Sequence, residues 1–190
     1  MAVRLLLASQ SPRRRELLGL LNVQFFVVPS DYDEKMDHTL SPEHLVEQNA
    51  LGKALAVQGQ YTNELILGAD TVVVHNGRVL GKPADRADAE RMLTALQGQW
   101  HTVYTGIALV RDRQWRVRHR TTRVHMRPLT PAQVTSYVAS GEPMDKAGAY
   151  AIQGIGAAFV DAIEGCYTNV VGLSLPLLAD MLAEFELTIL

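Results

Sequence analysis

Cysteine is almost missing from this sequence: Cys166 stands alone among 190 residues, so no disulfide can close within the chain. That fits a reducing compartment, and a cytoplasmic protein is expected. No apolar run approaches the length of a membrane span, so no membrane partner is expected. The opening Met1-Ala2-Val3-Arg4 passes straight into a short apolar segment without the longer apolar region of a signal peptide. Neither sign of charge dominates. Lys+Arg 18 against Asp+Glu 20 leaves a net charge of -2, which does not suit a protein built to coat nucleic acid. The histidines at 38, 44, 75, 101, 119 and 125 form no H-x-H or i, i+4 pair, and with one cysteine a zinc site lacks its donors. No G-x-S-x-G elbow supports acyl transfer by serine. Repeats, low-complexity segments and linkers are also absent. With 47% hydrophobic and 20% charged residues, the composition predicts one globular domain over 1–190.

What is present begins with Leu65-Ile66-Leu67-Gly68-Ala69-Asp70-Thr71-Val72-Val73-Val74. This run predicts a strand buried on both faces, interrupted by one carboxylate, Asp70. A buried charge is costly without a partner, so Asp70 has either a cation, metal or proton-transfer task or a plain turn-capping one.

A first strand over Arg4 to Ala8 runs into Ser9-Gln10-Ser11, and Pro12-Arg13-Arg14-Arg15 opens a helix with Ser11 as N-cap. Three arginines in a first helical turn oppose the macrodipole. Backbone N–H groups, hydroxyls and guanidinium forks at one point suit a phosphate; the bland alternative is a solvated basic turn offset by Glu16. The Gly-rich spacing of a Walker motif is absent. A second strand, Gln24 to Val28, leads to the acidic loop Asp31-Tyr32-Asp33-Glu34-Lys35-Met36-Asp37, which is either solvated or a source of carboxylates for Mg²⁺. A helix from Ser41-Pro42 to about Val57 puts Val46, Ala50, Lys53 and Val57 on one face. Lys53 either snorkels outward or reaches a phosphate.

Asn76-Gly77 predicts a hairpin whose return strand delivers Lys82-Pro83. Asp85 caps a helix to Leu96. Trp100–Val110 and Gln114–Met126 predict two long strands, the second carrying Arg116, Arg118, Arg120, Arg123 and Arg127 as a solvent face. Nucleic-acid binding there is a secondary reading. Thr130-Pro131-Ala132-Gln133 is a capping box. Lys146, Tyr150 and Gln153 then offer a phosphate contact, a stacking ring and a base-edge amide, or simply belong to a glycine-rich turn. A strand over Ala157–Ile163, a loop at Gly165–Asn169 and a helix opening at Ser174 and Pro176 complete the expectation.

Taken together, Ser9-x-Ser11-Pro12-Arg13-Arg14, Gly68-Ala69-Asp70-Thr71, Lys82-Pro83 and Asp145-Lys146-Ala147-Gly148-Ala149-Tyr150-x-Ile152-Gln153-Gly154 resemble the Maf family of nucleotide pyrophosphatases, in order and over nearly the whole chain. The last stretch resembles the branch acting on dTTP and UTP. The resemblance implies an α/β fold like the inosine-triphosphatase group: an elongated mixed sheet flanked by helices, two lobes and a central cleft. It implies hydrolysis of a nucleoside triphosphate (dTTP, UTP, and by extension CTP and modified pyrimidine nucleotides) to monophosphate and pyrophosphate, with Mg²⁺ or Mn²⁺, in a homodimer. Asp70 would be the proton acceptor and Arg13, Thr71 and Gln153 would tune substrate choice. Arg13, Arg14, Lys53, Lys82 and Lys146 would cradle phosphate beside Ser9 and Ser11, and Glu34 with Asp70 would hold the metal. Ala151, where the family usually has glycine, and the longer Gly172-Leu173-Ser174-Leu175-Pro176 depart from the family pattern; the second is expected to be catalytically silent. The alternative function is a non-catalytic nucleotide sensor that restrains cell division.

Overall fold

The computed structural model describes residues 4–61 and 63–189. In chain order its elements are β1 (Leu5–Leu7), α1 (Pro12–Gly19), β2 (Phe25–Val27), α2 (Pro42–Gln58), β3 (Leu65–His75), β4 (Arg78–Leu80), α3 (Arg86–Leu96), β5 (Trp100–Arg111), β6 (Gln114–Met126), α4 (Pro131–Ala139), β7 (Val160–Glu164), α5 (Tyr167–Val171) and α6 (Leu175–Ala183), with three short 3₁₀ turns between Glu142 and Phe159. The strands form one mixed sheet in the order β2-β1-β3-β5-β6-β7, with β4 on β3, and helices flank it. β1 runs parallel to both β2 and β3, with Leu6 opposite Phe26 on one side and Ile66 on the other. β3 and β4 form the hairpin expected at Asn76-Gly77, where φ is +48° and +75°. Two positive values in succession are what a two-residue hairpin turn demands.

Contacts along the chain group it into two compact units: Met1–Asp70 with Thr105–Arg120 and Gly172–Leu190, and Thr71–Tyr104 with Thr121–Val171. The first has a small-residue core of Leu6, Ala8, Ala50, Ala54, Val57, Ile66, Ala108 and Val110. Its small side chains let α2 lie close on the sheet. A Cβ on Gly68 of β3 would overlap the carbonyl oxygen of Ala50, and one on Gly106 of β5 would overlap that of Val46. Both glycines are therefore required by the approach of α2 rather than by backbone conformation. The second unit packs α3 and α4 around Leu93, Leu96, Val103, Met126, Val138 and Phe159.

Three expectations are corrected. Residues 167–171 are a helical turn, not a loop, and the last strand begins at Val160 because Gly154–Phe159 is a 3₁₀ turn. The Tyr150 ring is buried and meets His101 edge-on, with its hydroxyl 2.7 Å from His101 Nε2, so it is core and offers no stacking face. The β6 arginines do form the exposed face expected, and on it Arg116 and Arg118 both pair with Glu184, at 2.9 and 2.5 Å, while Arg123 pairs with Glu164 and lies over Trp100. Carboxylates of the same chain thus meet those three charges, which weakens the nucleic-acid reading.

Candidate active site

The site grows from α2 lying against β3. Ser41 caps α2 by accepting from His44 N–H, and Pro42 presets its first turn. Asn49 and Lys53 are one turn apart, so both point the same way. That face meets β3 where the apolar run is broken at Asp70. Lys53 is 6% exposed and does not snorkel. Its ammonium, with three protons to give, has three acceptors: Asp70 Oδ1 at 2.7 Å, the Ala69 carbonyl at 3.2 Å and Glu34 Oε1 at 2.8 Å. The buried charge of Asp70 is thereby paired and its second oxygen, Oδ2, accepts from Asn49 Nδ2 at 3.0 Å. Of the two readings left open for Asp70, the one with a cationic partner is what the geometry shows.

Glu34 reaches Lys53 from the acidic loop with its side chain 45% exposed. The loop rests on α2 at two points. The Tyr32 ring lies where a Cβ of Gly52 would be, and Lys35 exchanges two hydrogen bonds with the Asn49 side chain, at 3.0 and 2.9 Å. Burial, followed by the negative charges of Asp70 and Asp33, raises the Tyr32 pKa.

The arginine turn belongs to the same unit. Ser9 is buried and its Oγ accepts from Ser11 N–H at 3.2 Å and from Arg14 Nη1 at 3.4 Å. Ser11 caps α1. Arg14 donates through Nε to the Gly172 carbonyl at 2.9 Å. Burial lowers the Arg14 pKa; Asp70 and then Glu34 oppose that shift, and Arg13 adds to it. Arg14 therefore feels the field of both carboxylates, and the strained charge pattern of the α1 start lies within electrostatic reach of Asp70. Gly172, in the segment expected to be silent, is the anchor of Arg14. Its φ of +125° favours glycine there.

In the second unit Thr71 follows Asp70 on β3 and is half-buried, and Lys82 is exposed after β4. Lys146 Nζ donates to the Glu142 carbonyl and to Asp145 Oδ1, both at 2.6 Å. Gln153 is half-buried at the head of the last 3₁₀ turn. Sequence reasoning missed Asn49, Tyr32 and Gly172. Asn49 had a signal, as a polar residue one turn before Lys53 on a face that is otherwise apolar.

As to a divalent cation, no group of three or more His, Cys, Asp or Glu side chains gathers among the described residues. Two carboxylates, Asp70 and Glu34, do converge on one cationic point. That donor set fits Mg²⁺, which takes one or two carboxylates and completes its shell with phosphate and water.

The model for the family described as Maf-like protein matches residues 4–185. The chain belongs to the Maf family. It is 68% identical over 186 residues to the dTTP/UTP pyrophosphatase of Gloeobacter violaceus, covering 98% of each chain. It is 52% identical over 188 residues to the dTTP/UTP pyrophosphatase of Pelotomaculum thermopropionicum, again covering 98% of each. Among solved structures, a nucleoside-triphosphatase / dITP/XTP pyrophosphatase from Mycobacterium abscessus is 16% identical over 96% of this chain and 95% of its own, with a TM-score of 0.48. In this Maf chain the polar cluster of α2, β3 and the acidic loop falls within residues 4–185, the part that the family model matches.

Proposed function

We propose that this chain hydrolyses nucleoside triphosphates, dTTP and UTP foremost and CTP and modified pyrimidine nucleotides by extension, to the monophosphate and pyrophosphate. The observation that carries the reading is the Lys53 ammonium shared by buried Asp70 and by Glu34 inside the field of Arg14, in a chain 68% identical to a protein named for that activity.

Hydrolysis adds one water across the α–β anhydride. Phosphoryl transfer needs placement and charge neutralisation more than covalent chemistry. Asp70 accepts the proton that the attacking water gives up, and Lys53 and Asn49 fix its two oxygens so that their remaining lone pairs have set directions. Arg13 and Arg14, beside Ser9 and Ser11, receive the phosphates. Glu34 and Asp70 hold a Mg²⁺ or Mn²⁺ ion, whose chemistry is to neutralise phosphate oxygens and acidify water. Glu34, the exposed member, is the arm that turns from Lys53, which leaves one Lys53 N–H to donate a hydrogen bond to a phosphate oxygen. Thr71 and Gln153, with Arg13, keep the role in substrate choice that the family resemblance implies, and Lys82 and Lys146 add positive charge. The protein acts in the cytoplasm as a homodimer. No described helix is long and apolar enough to cross a membrane.

The test is a panel of canonical and modified triphosphates with Mg²⁺ and Mn²⁺, following pyrophosphate for the wild type and Asp70→Asn. Pyrophosphate release from dTTP and UTP that falls by about 10²-fold or more in the variant is expected. Tight nucleotide binding with no turnover by the wild type would favour the sensor instead.

A further inference from the structure

We propose that Asn49 is a positioning residue, the joint that holds the Asp70 carboxylate and the acidic loop in one register; this rests on the reading of Asp70 given above. Asn49 is 2% exposed, and its carboxamide is used at both ends. Oδ1 accepts from Lys35 N–H at 3.0 Å, while Nδ2 donates to the Lys35 carbonyl at 2.9 Å and to Asp70 Oδ2 at 3.0 Å. The two-point bond to Lys35 fixes which end is which. A flipped amide would set N–H against N–H at Lys35 and oxygen against oxygen at both Lys35 and Asp70.

No other side chain reproduces this. Aspartate has the shape but no donor, and places a second negative charge against Asp70. Leucine keeps most of the volume and makes none of the bonds. Glutamine adds a methylene to a closed space.

The consequence reaches Glu34, which lies between two loop residues fixed on α2: Tyr32 against Gly52 and Lys35 against Asn49. Asn49 therefore sets where Glu34 stands relative to Asp70, the two carboxylates that meet at Lys53. Groups that orient metal ligands and bases from behind change their performance by about 10- to 100-fold when removed.

The experiment compares wild type with Asn49→Asp and Asn49→Leu. It measures kcat and KM for dTTP, calorimetric Mn²⁺ affinity of the nucleotide-free protein, and amide hydrogen exchange at Lys35 in the wild type. The expected result is a kcat and a Mn²⁺ affinity each about 10- to 100-fold lower in both variants, with KM within about twofold. The Lys35 N–H of the wild type is expected to be protected although its loop is exposed. Wild-type kcat in a folded variant, or a loss that falls wholly in KM, would overturn the proposal. So would free exchange at Lys35, which needs no variant to fold. Asp70→Asn separates the two layers. If that variant turns over normally, the reading of Asp70 fails; if it is inactive while the Asn49 variants work at full rate, only the role of Asn49 fails.

Discussion

Lys53 Nζ lies 2.7 Å from Asp70 Oδ1, with both side chains about 7% exposed. Such a pair is balanced only while both members are present, because the charge left behind after removing one has lost its water and its partner. Lys53→Ala is expected to cost about 3–5 kcal/mol in urea unfolding and to abolish turnover. The double variant Lys53→Met, Asp70→Asn should recover most of that stability without activity, since it removes both charges. A double variant as unstable as the single one would show that packing, not charge balance, is what Lys53 supplies.

Gly68 allows α2 to reach β3 at all. Gly68→Ala places a methyl on the Ala50 carbonyl oxygen, and backbone must shift to admit it. Overpacking of this kind costs about 1–3 kcal/mol or more. Because α2 carries Asn49 and Lys53, the same shift should lower kcat even in protein that remains folded. Circular dichroism melting with a steady-state assay checks both.

Much of this was legible in the sequence. Ser11-Pro12, Ser41-Pro42 and Thr130-Pro131 announced three helix starts, and Asn76-Gly77 announced the hairpin, because each is a local rule satisfied by neighbouring residues. Asp70 stood out as a charge in an apolar run, and the arginines as cations at the wrong end of a helix. The sequence left Lys53 undecided because period alone gives a face, and only the close seat of α2 on Gly68 decides that the face is buried. Asn49, Tyr32 and Gly172 escaped because their roles depend on chain segments far away in sequence. The ring of Tyr150 escaped for the same reason, its partner being His101.

His101 gives the fold a pH limit of its own. It is buried, and desolvation, with smaller contributions from His75 and His125, lowers its pKa from 6.5 to about 4. The folded protein therefore binds this proton less readily than the unfolded chain. Stability from this group is complete above about pH 6.5 and falls as pH drops towards 4, by about 2–3 kcal/mol at pH 4.5. His101→Gln should show a flatter stability curve than wild type over that window in urea titrations. An unchanged slope would assign the acid loss to other groups.

Tyr137 controls the segment that carries Gln153. Its hydroxyl donates to Glu142 Oε1 at 2.8 Å and accepts from Ala151 N–H at 3.2 Å. The same Glu142 carboxylate accepts from Ile155 N–H and Gly156 N–H, each at 3.0 Å, so one carboxylate and one phenol tie down both sides of Gln153. Burial, with the Glu142 hydrogen bond, raises the Tyr137 pKa, which keeps the phenol protonated as a donor. Tyr137→Phe leaves the ring packed edge-on to Phe159 but strands the buried Ala151 N–H. The loss should be about 1–3 kcal/mol, or a fall of several degrees in Tm. Gln153, held less firmly, should discriminate less. The ratio of kcat/KM for dTTP to that for CTP should fall, while kcat for dTTP changes little because Asp70, Lys53 and Asn49 are untouched. Glu142→Gln should act in the same direction, since an amide cannot accept from three donors with both of its ends. If both variants keep the wild-type order and ratio of substrates despite lower stability, the clamp serves the fold alone and Gln153 does not read the base.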